Sequence, residues 1–347
     1  MAHSGPHVSP DRVGLTARRR ILQVFTTAPA PAGGDGRSYL HRVTDVARWS
    51  ERYGCGGIVI PAESRLVDPW LVAAALVRET ERLVPLLPVQ PAYQHPYTVA
   101  RLVASIGGLY GRRVALNLIA GGFRNELRAL GDVTPHEQRY ARLLEFALIV
   151  KRLLNGDRVS LDGTFYDMQG LRLVPSLDAA LYPSLFVSGA SESALAAARQ
   201  LDAAAIGDPR PPDEEQASEP VGPSRAVRLG IIAREDADLA WSVAFRRFPP
   251  DPRERKPAEG GDAPWRRHPS PHTASGGHER SPYWFVPFEH YRTFHPYLVG
   301  SYDQVVTEIC RYVHAGFQTF LLDVPADEEE LTHWRVVFER STAVLHS

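Results

Sequence analysis

Residues 114–122 read VALNLIAGG, an apolar run that contains the polar Asn117 and ends in small residues. The run predicts a buried strand, and the small residues after it allow a ligand to approach the backbone closely. Further along, His136 and Tyr140 stand at the start of an amphipathic segment. A helix there places both side chains on one face, because residues four apart are neighbours on a helix. The alternative is a tight turn before an ordinary helix, with Asn117 bonded locally.

On both sides of this stretch, short apolar segments alternate with segments of helical periodicity. Strands are predicted at residues 21–25, 57–61, 83–89, 113–119, 184–187, 203–206, 226–233 and 319–324. Eight strands that alternate with helices predict an α/β fold, a TIM (β/α)8 barrel, whose chemistry lies at the C-terminal ends of the strands. A doubly wound open sheet is the alternative.

Three segments depart from this alternation. Residues 1–17 are predicted to be a disordered tail, which leaves 18–347 as a single barrel domain. Residues 157–175 alternate in polarity and predict an inserted hairpin. Residues 249–290 are rich in Pro, Gly, His and charge, which predicts a lid or a disordered segment. A solvated loop is favoured over a metal site for the histidines within it, which are His268, His272 and His278.

Composition excludes several classes of protein. The chain has 347 residues, within the range of one α/β barrel, and 44% of them are apolar. The net charge of −1 excludes the electrostatic footprint of a nucleic-acid-binding protein. No apolar run approaches the roughly 20 residues that cross a bilayer. The two cysteines, Cys55 and Cys310, exclude a disulfide framework and a cysteine-rich zinc site. Without an apolar signal segment, a cytoplasmic location is expected.

Polar residues follow the predicted strands, and in a barrel they would meet at one rim. They are Glu63, Gln90, Tyr93, Asn117, Arg228, Asp323 and the small turn Ser188-Gly189-Ala190-Ser191. Because that turn enters a helix, its backbone N–H groups favour a bound phosphate. An ordinary serine helix cap is the alternative.

The same residues carry a resemblance to a known family. The chain resembles the bacterial luciferase-like flavin monooxygenases, and among them the alkanesulfonate monooxygenase branch. The runs that match are residues 57–61, 68–73, 115–122, 137–140, 162–173, 182–186 and 188–193. The resemblance implies a barrel that binds reduced FMN (FMNH2), supplied by a separate NAD(P)H-dependent flavin reductase. It also implies activation of O2 as a flavin peroxide, and assembly as a homodimer or homotetramer.

The resemblance also assigns cofactor-binding residues. It places Asn117 beside the isoalloxazine ring, with Ala120 and Gly121 in the loop that follows. It lets Tyr140 reach the flavin phosphate, with His136 one turn before it. The turn that holds the phosphate through its N–H groups matches Ser188, Gly189, Ala190 and Ser191.

The substrate half of the site departs from the alkanesulfonate pattern. Leu66 stands where that branch has a cysteine, and Gly230 stands where it has a histidine, although Arg228 is retained. Arg292 is loosely aligned with an arginine of the mobile loop. The chain therefore predicts rewritten substrate specificity, in specialised metabolism rather than sulfur scavenging.

The sequence predicts a two-component FMNH2-dependent monooxygenase that uses O2 on a small organic substrate. Arg228 is the candidate for stabilising a peroxide anion or binding an acidic substrate group. Glu63 and His95 are candidates for proton transfer or for structural roles, and Arg292 completes the catalytic set. One alternative is a deazaflavin- or FMN-dependent oxidoreductase that transfers hydride without O2. Another is a non-catalytic flavin-binding protein.

Overall fold

The computed structural model describes residues 22–31, 36–61, 67–121, 124–207, 210–211, 224–249, 281–285, 287, 293 and 295–347. The strands are β1 (Gln23–Thr27), β2 (Gly57–Val59), β3 (Val84–Val89), β4 (Ala115–Ile119), β5 (Val159–Asp162), β6 (Asp167–Leu171), β7 (Ser184–Ser188), β8 (Ala204–Ile206), β9 (Arg225–Arg234), β10 (Tyr283–Trp284), β11 (Tyr297–Ser301) and β12 (Phe317–Leu322). The α-helices are α1 (Gly36–Arg52), α2 (Pro69–Glu79), α3 (Pro96–Tyr110), α4 (Arg124–Ala129), α5 (His136–Leu154), α6 (Glu192–Leu201), α7 (Ala237–Arg247), α8 (Tyr302–His314) and α9 (Glu328–His346).

Eight parallel strands close into a ring in the order β1-β2-β3-β4-β7-β8-β9-β12. The ring closes because β8 pairs with β9, β9 with β12, and β12 with β1. This arrangement confirms the predicted barrel. The alternative, a doubly wound open sheet, is wrong because such a sheet has two unpaired edges.

The interior of the barrel is filled by one apolar side chain from each of the eight strands. These residues are Phe25, Val59, Leu86, Ala115, Phe186, Ile206, Ala226 and Leu321. Side chains alternate across a strand, so residues two positions further along face the same interior, nearer the C-terminal rim. Those positions include Asn117, Ser188, Arg228 and Asp323, which we call the inner rim residues.

Helix starts follow the local chemistry of the sequence. The Asp68 side chain accepts hydrogen bonds from the backbone N–H of Trp70 at 2.9 Å and of Leu71 at 3.4 Å, and Pro69 is the first helical residue. Ser301 and Gln304 form a capping box at the start of α8. These caps fix where each helix begins relative to the strand before it.

Of the two predicted insertions, the structure describes the hairpin but little of the lid. Strands β5 and β6 are antiparallel, which confirms the hairpin. The carboxylate of Glu145 holds the loop of this hairpin against α5 by accepting bonds from three backbone N–H groups, at 2.8–3.1 Å. Residues 1–17 and most of the predicted lid, including all three of its histidines, lie outside the described residues.

The sequence did not predict β10 and β11. Strand β11 runs parallel to the upper half of β9, with Tyr297 opposite Gly230 and Ser301 opposite Arg234. The long β9 therefore belongs to the barrel below and to a small sheet extension above. One face of this extension packs on α7, and the other packs on α8 and α9.

None of the described helices is both long and apolar enough for a membrane crossing. Within the described ranges, no three His, Cys, Asp or Glu side chains gather as a metal site. Cys55 and Cys310 are free thiols, and burial raises the pKa of Cys55 to about 12.

Candidate active site

Asn117 and Ser188 form a buried polar pair on neighbouring strands. The Asn117 side-chain oxygen accepts a hydrogen bond from the Ser188 hydroxyl at 2.8 Å, and Asn117 is only 3% exposed. No described residue accepts a hydrogen bond from the Asn117 side-chain nitrogen. This amide therefore keeps two donors for a ligand inside the barrel.

The hydroxyl of Tyr140 lies over Gly189. It donates to the carbonyl of Ser188 at 3.2 Å, and a Cβ added to Gly189 would lie 2.2 Å from the hydroxyl oxygen. Gly189 also has φ +133°, a conformation that L side chains rarely adopt. Ser191 follows as the N-cap of α6, and its hydroxyl accepts from the backbone N–H of Ala194 at 3.2 Å. The tyrosine hydroxyl and the N-terminus of α6 thus lie side by side.

Arg139 brings a positive charge to the loop after β4, the strand that neighbours β7, and sequence reasoning missed it. Its Nε donates to the carbonyl of Thr134 at 3.1 Å. A Cβ on Gly121 would lie 3.4 Å from Nη1 of Arg139, so the guanidinium rests against the loop after β4. The signal in the sequence was its position next to Tyr140 in the matching run 137–140.

The loop before α5 is fixed by an ion pair. Arg142 binds Asp132 with an N–O distance of 2.5 Å and also donates to the Thr134 hydroxyl at 3.0 Å. The Arg142 hydrogen bond, with further bonds from Thr134, outweighs burial and holds the pKa of Asp132 well below its usual value. Because Thr134 also receives the Arg139 bond, this pair positions Arg139.

Gln90 presents an unsatisfied oxygen at the end of β3. The residue is 7% exposed, and its side-chain oxygen has no hydrogen-bond partner among the described residues. The alternation from Leu86 directs Gln90 to the barrel interior. Buried polar atoms are normally bonded, so this oxygen points to a missing partner.

These features fit a flavin mononucleotide. The amides of Asn117 and Gln90 offer hydrogen bonds to a polar ring edge inside the barrel. Arg139, Tyr140 and the N-terminus of α6 offer a cation, a hydroxyl and N–H groups to a phosphate. The missing side chain at Gly189 lets the Tyr140 hydroxyl lie directly against this turn, beside the N-terminus of α6 where such a phosphate would bind.

Arg228 is a half-buried cation inside the barrel, and no described residue supplies a counter-charge to it. It shares the inward face of β9 with Ala226, and burial lowers the pKa of its guanidinium. The described part of the chain supplies no hydrogen-bond acceptor to it. Arg234 on the same strand, by contrast, makes two 3.0 Å hydrogen bonds to Glu330. An unpaired guanidinium inside the barrel is suited to an anionic ligand.

Asp323, Tyr297 and His295 form a second buried cluster, which we call the Asp323 cluster. The Tyr297 hydroxyl donates to Oδ2 of Asp323, and the backbone N–H of Val324 donates to Oδ1 at 2.7 Å. Nε2 of His295 lies 3.5 Å from Oδ2.

Within the Asp323 cluster, the aspartate is charged and the tyrosine is neutral. Burial opposes ionisation of Asp323, but His295, the Tyr297 hydroxyl and the Val324 N–H outweigh it and hold the pKa of the carboxyl well below its usual value. Burial and the Asp323 charge raise the pKa of Tyr297 well above 10. The pair is therefore carboxylate and neutral phenol at neutral pH.

The absence of a side chain at Gly230 has a structural explanation. A Cβ there would lie 2.2 Å from Cε1 of Tyr297, so the tyrosine ring occupies the space. Tyr297 and His295 were missed as functional candidates because β11 was not predicted.

The predicted histidines His95 and His136 lie at helix starts, on the exposed surface. Nδ1 of His95 accepts from the backbone N–H of Tyr97 at 3.2 Å, and its ring packs edge-on against Tyr166. His95 is therefore an exposed helix cap, which is the structural role left open for it. His136 is the exposed first residue of α5. Outside the described residues lie Glu63, Leu66 and Arg292. Ala120 is buried, and Ala190 is exposed.

Comparison with known proteins decides the family. Residues 21–319 match the model of the luciferase-like monooxygenase family. The chain belongs to this family. A curated relative from Niallia circulans, the 4-(gamma-L-glutamylamino)butanoyl-[BtrI acyl-carrier protein] monooxygenase BtrO, is 31% identical over 329 residues, covering 92% of this chain and 96% of BtrO. This luciferase-like protein is thus a flavin-dependent monooxygenase. The finer resemblance to the alkanesulfonate branch stays a prediction.

Solved structures agree on the fold of this luciferase-like monooxygenase. The monooxygenase RslO1 from Streptomyces bottropensis superposes with a TM-score of 0.66 at 14% identity, covering 94% of this chain and 100% of that chain. DmoA from Hyphomicrobium sulfonivorans gives 0.67 at 16% identity, with coverages of 94% and 89%. At these identities the likeness supports the barrel alone.

Proposed function

We propose that this protein is the oxygenase of a two-component system. It takes reduced FMN from a separate NAD(P)H-dependent flavin reductase, uses O2, and oxygenates a small acyl substrate in specialised metabolism. It would act in the cytoplasm as a homodimer or homotetramer. The proposal is supported by the arrangement of Arg139, Tyr140, Gly189 and the N-terminus of α6, which we call the cradle.

The cradle would bind the FMN phosphate. Bound reduced flavin supplies the electrons that activate O2, and the protein contributes binding, orientation and exclusion of water. Tyr140 has a single hydroxyl proton, which now goes to the Ser188 carbonyl. The hydroxyl would have to turn from that carbonyl to donate to a phosphate oxygen. Arg139 would add charge without moving far, because Thr134 fixes its Nε.

The flavin ring would lie inside the mouth of the barrel. Asn117 would donate its side-chain N–H groups and Gln90 would accept through its unbonded oxygen. Below them, the apolar interior layer that includes Phe25, Leu86 and Phe186 closes the barrel. This layer would keep water from reaching the ring from that side.

Arg228 would bind an acidic group of the substrate. Its guanidinium lies on the inner face of the barrel without a partner among the described residues. The name of the relative BtrO specifies an acyl group carried by an acyl-carrier protein. We infer the same chemical class here, a short acyl thioester that bears a carboxylate.

Anaerobic titration of the protein with reduced FMN tests the proposal. We expect a saturable quench of fluorescence, and Tyr140→Phe should weaken binding at least several-fold. Tyr110→Phe is the matched control, since Tyr110 is exposed on α3, away from the cradle. The absence of a saturable quench, with Tyr140→Phe indistinguishable from the wild type, would refute the proposal.

Oxygen consumption separates the alternatives. With reduced FMN and acyl thioesters, we expect O2 uptake matched by an oxygenated product. Reduction of substrate without O2 uptake would favour hydride transfer. Peroxide release without product across a panel of metabolites would favour a non-catalytic flavin-binding protein.

A further inference from the structure

The Asp323 cluster lies on the same inner rim as Arg228. Leu321 on β12 is opposite Arg228 on β9, and Asp323 is the next residue of β12's inward face. A substrate whose acidic group binds Arg228 would therefore extend past the cluster on the neighbouring strand.

His295 is the unexplained member of this cluster. It is 5% exposed, and neither ring nitrogen has a well-formed hydrogen bond to any residue that the structure describes. Its Nε2 approaches Asp323 at 3.5 Å, beyond a well-formed hydrogen bond. Buried nitrogen atoms without hydrogen bonds reduce the stability of the fold. The unbonded nitrogens of His295 therefore point to a ligand or a reaction.

The imidazole is nevertheless held firmly in place. The Thr293 hydroxyl donates to the His295 carbonyl at 2.7 Å, and the backbone N–H of Gly230 donates to the Pro296 carbonyl at 2.8 Å. The ring stacks on Tyr297 with an interplanar angle of 23° and a centroid distance of 6.1 Å. The ring is therefore fixed beside the Asp323 carboxylate, while no described residue makes a full hydrogen bond to its nitrogens.

Asp323 is suited to support such a base. A carboxylate beside an imidazole orients the ring and stabilises the imidazolium that forms when the ring takes a proton. The Tyr297 hydroxyl and the Val324 N–H fix the carboxylate. Arg247 lies 5.5 Å from the centre of the Tyr297 ring and donates to the Val324 carbonyl at 2.7 Å, so a cation supports the negative charge.

We propose that His295 and Asp323 form a proton-accepting dyad for the carbon next to the carbonyl of the acyl substrate, with Tyr297 as a positioning residue. This inference rests on the acyl substrate of the proposed function. The C–H bond breaks, its proton moves to a ring nitrogen of His295, and its electron pair enters the enolate. In the enolate, this carbon is electron-rich. It is the carbon that reduced flavin and O2 would oxygenate. Asp323 compensates the imidazolium charge.

Exchange of hydrogen for deuterium tests the dyad without oxygenation. The wild type is incubated in D2O with S-glutaryl-N-acetylcysteamine, which carries the carboxylate expected to bind Arg228, without O2, both with and without reduced FMN. Deuterium at C2 is followed by NMR. We expect exchange well above the buffer rate, slowed at least tenfold in His295→Gln and Asp323→Asn and several-fold in Tyr297→Phe.

A matched histidine controls for the substitution itself. His333 is bonded through Nδ1 to the Tyr302 hydroxyl at 2.7 Å, outside the barrel mouth. His333→Gln should leave exchange unchanged. Free imidazole should restore exchange to His295→Gly but not to Asp323→Asn, which a purely structural role would not produce.

The outcomes separate this inference from the proposed function. Wild-type exchange at the buffer rate, or His295→Gln exchanging as fast as the wild type, would overturn the dyad. Oxygenated product without exchange overturns the dyad and leaves the monooxygenase proposal intact. If reduced FMN does not bind, the proposed function is wrong. Deuterium exchange measured without flavin then still tests the dyad. If a variant does not fold, the rate of deuterium exchange in the wild type still tests the dyad, because exchange at the buffer rate would overturn it.

Discussion

The ring of Tyr297 occupies the space in which a side chain on Gly230 would lie. A Cβ on Gly230 would be 2.2–2.4 Å from three atoms of the ring, and Tyr297 is 0% exposed. The two residues face each other in the pairing of β9 with β11. The glycine is therefore required by a tyrosine 67 positions later in the chain, and through it by the hydrogen bond to Asp323.

Gly230→Ala should destabilise the protein. The added methyl group cannot be accommodated without moving a ring that is buried on all sides, and overpacking of this kind costs about 1–3 kcal/mol. We expect the melting temperature to fall by about 3 °C or more, measured by differential scanning fluorimetry.

Gly108→Ala is the control for this substitution. Gly108 is within α3, and an added Cβ would have no atom within 4 Å. Alanine is favoured over glycine in a helix, so stability should stay the same or rise. Equal melting temperatures for Gly230→Ala and the wild type would contradict the close packing of the Tyr297 ring against Gly230.

Gly189→Ala should weaken flavin binding as well as stability. The methyl group would displace the Tyr140 hydroxyl, and the φ of +133° would be strained. Loss of one charge-assisted hydrogen bond, worth about 1.5–3 kcal/mol, predicts at least about a tenfold higher dissociation constant for reduced FMN. Gly54→Ala separates the two effects, because Gly54 has φ +84° and open space around it. It should lose stability but bind flavin normally.

Arg139→Gln should discriminate between flavins that differ only in the phosphate. If the guanidinium binds the phosphate, affinity for reduced FMN should fall about tenfold or more, whereas affinity for reduced riboflavin should not change. The difference between the two ligands should shrink at high salt, because salt screens the charge. Arg199→Gln, an exposed residue of α6, is the control. Equal losses for both flavins would exclude a phosphate contact.

The sequence predicted the barrel well because each strand carries its own signal. Asn117 and Arg228 could be placed on the inner face by alternation alone, once the strands were recognised. The cap at His95 was also readable, since Pro96 follows at the first position of α3. Weighing that signal would have favoured the structural role for His95.

The Asp323 cluster could not be predicted in the same way. Asp323 was noted as a strand end, but Tyr297 reaches it from the start of β11 and His295 from just before that strand. Their meeting depends on the pairing of β11 with β9, which is a long-range contact without a local sequence signal. Arg139 escaped notice for a similar reason, because its approach to Gly121 depends on how α5 packs against the barrel.

Gln90→Met should stabilise the protein while weakening its function. The change removes an unbonded buried oxygen, which costs about 1–3 kcal/mol, and keeps the shape of the side chain. The melting temperature should therefore rise, whereas affinity for reduced FMN should fall. Gln94→Met is the control, because the Gln94 oxygen already accepts from Nε1 of Trp70 at 3.4 Å. A fall in melting temperature for Gln90→Met would show that the oxygen has a partner.

The contribution of Asp323 to stability should depend on pH in a defined direction. Its folded pKa lies well below the value of about 3.9 for an unfolded aspartate. Stability from the ionised carboxylate is therefore fully present above that unfolded value and is lost as the pH falls towards the folded pKa. The melting temperature of the wild type minus that of Asp323→Asn should be constant from about pH 7 to pH 5 and should shrink below about pH 4.

The groups that face Asp323 are His295, Tyr297 and the more distant Arg247. Tyr297 does not titrate in this range, because burial and the Asp323 charge raise its pKa. Repeating the comparison in a His295→Gln background removes the imidazole, so that the Asp323 carboxylate is compared without it. A difference that persists unchanged to pH 3 in that background would mean that the carboxylate is not held ionised by Tyr297 and Val324. The hydrogen bonds that fix the proposed dyad would then be absent in solution.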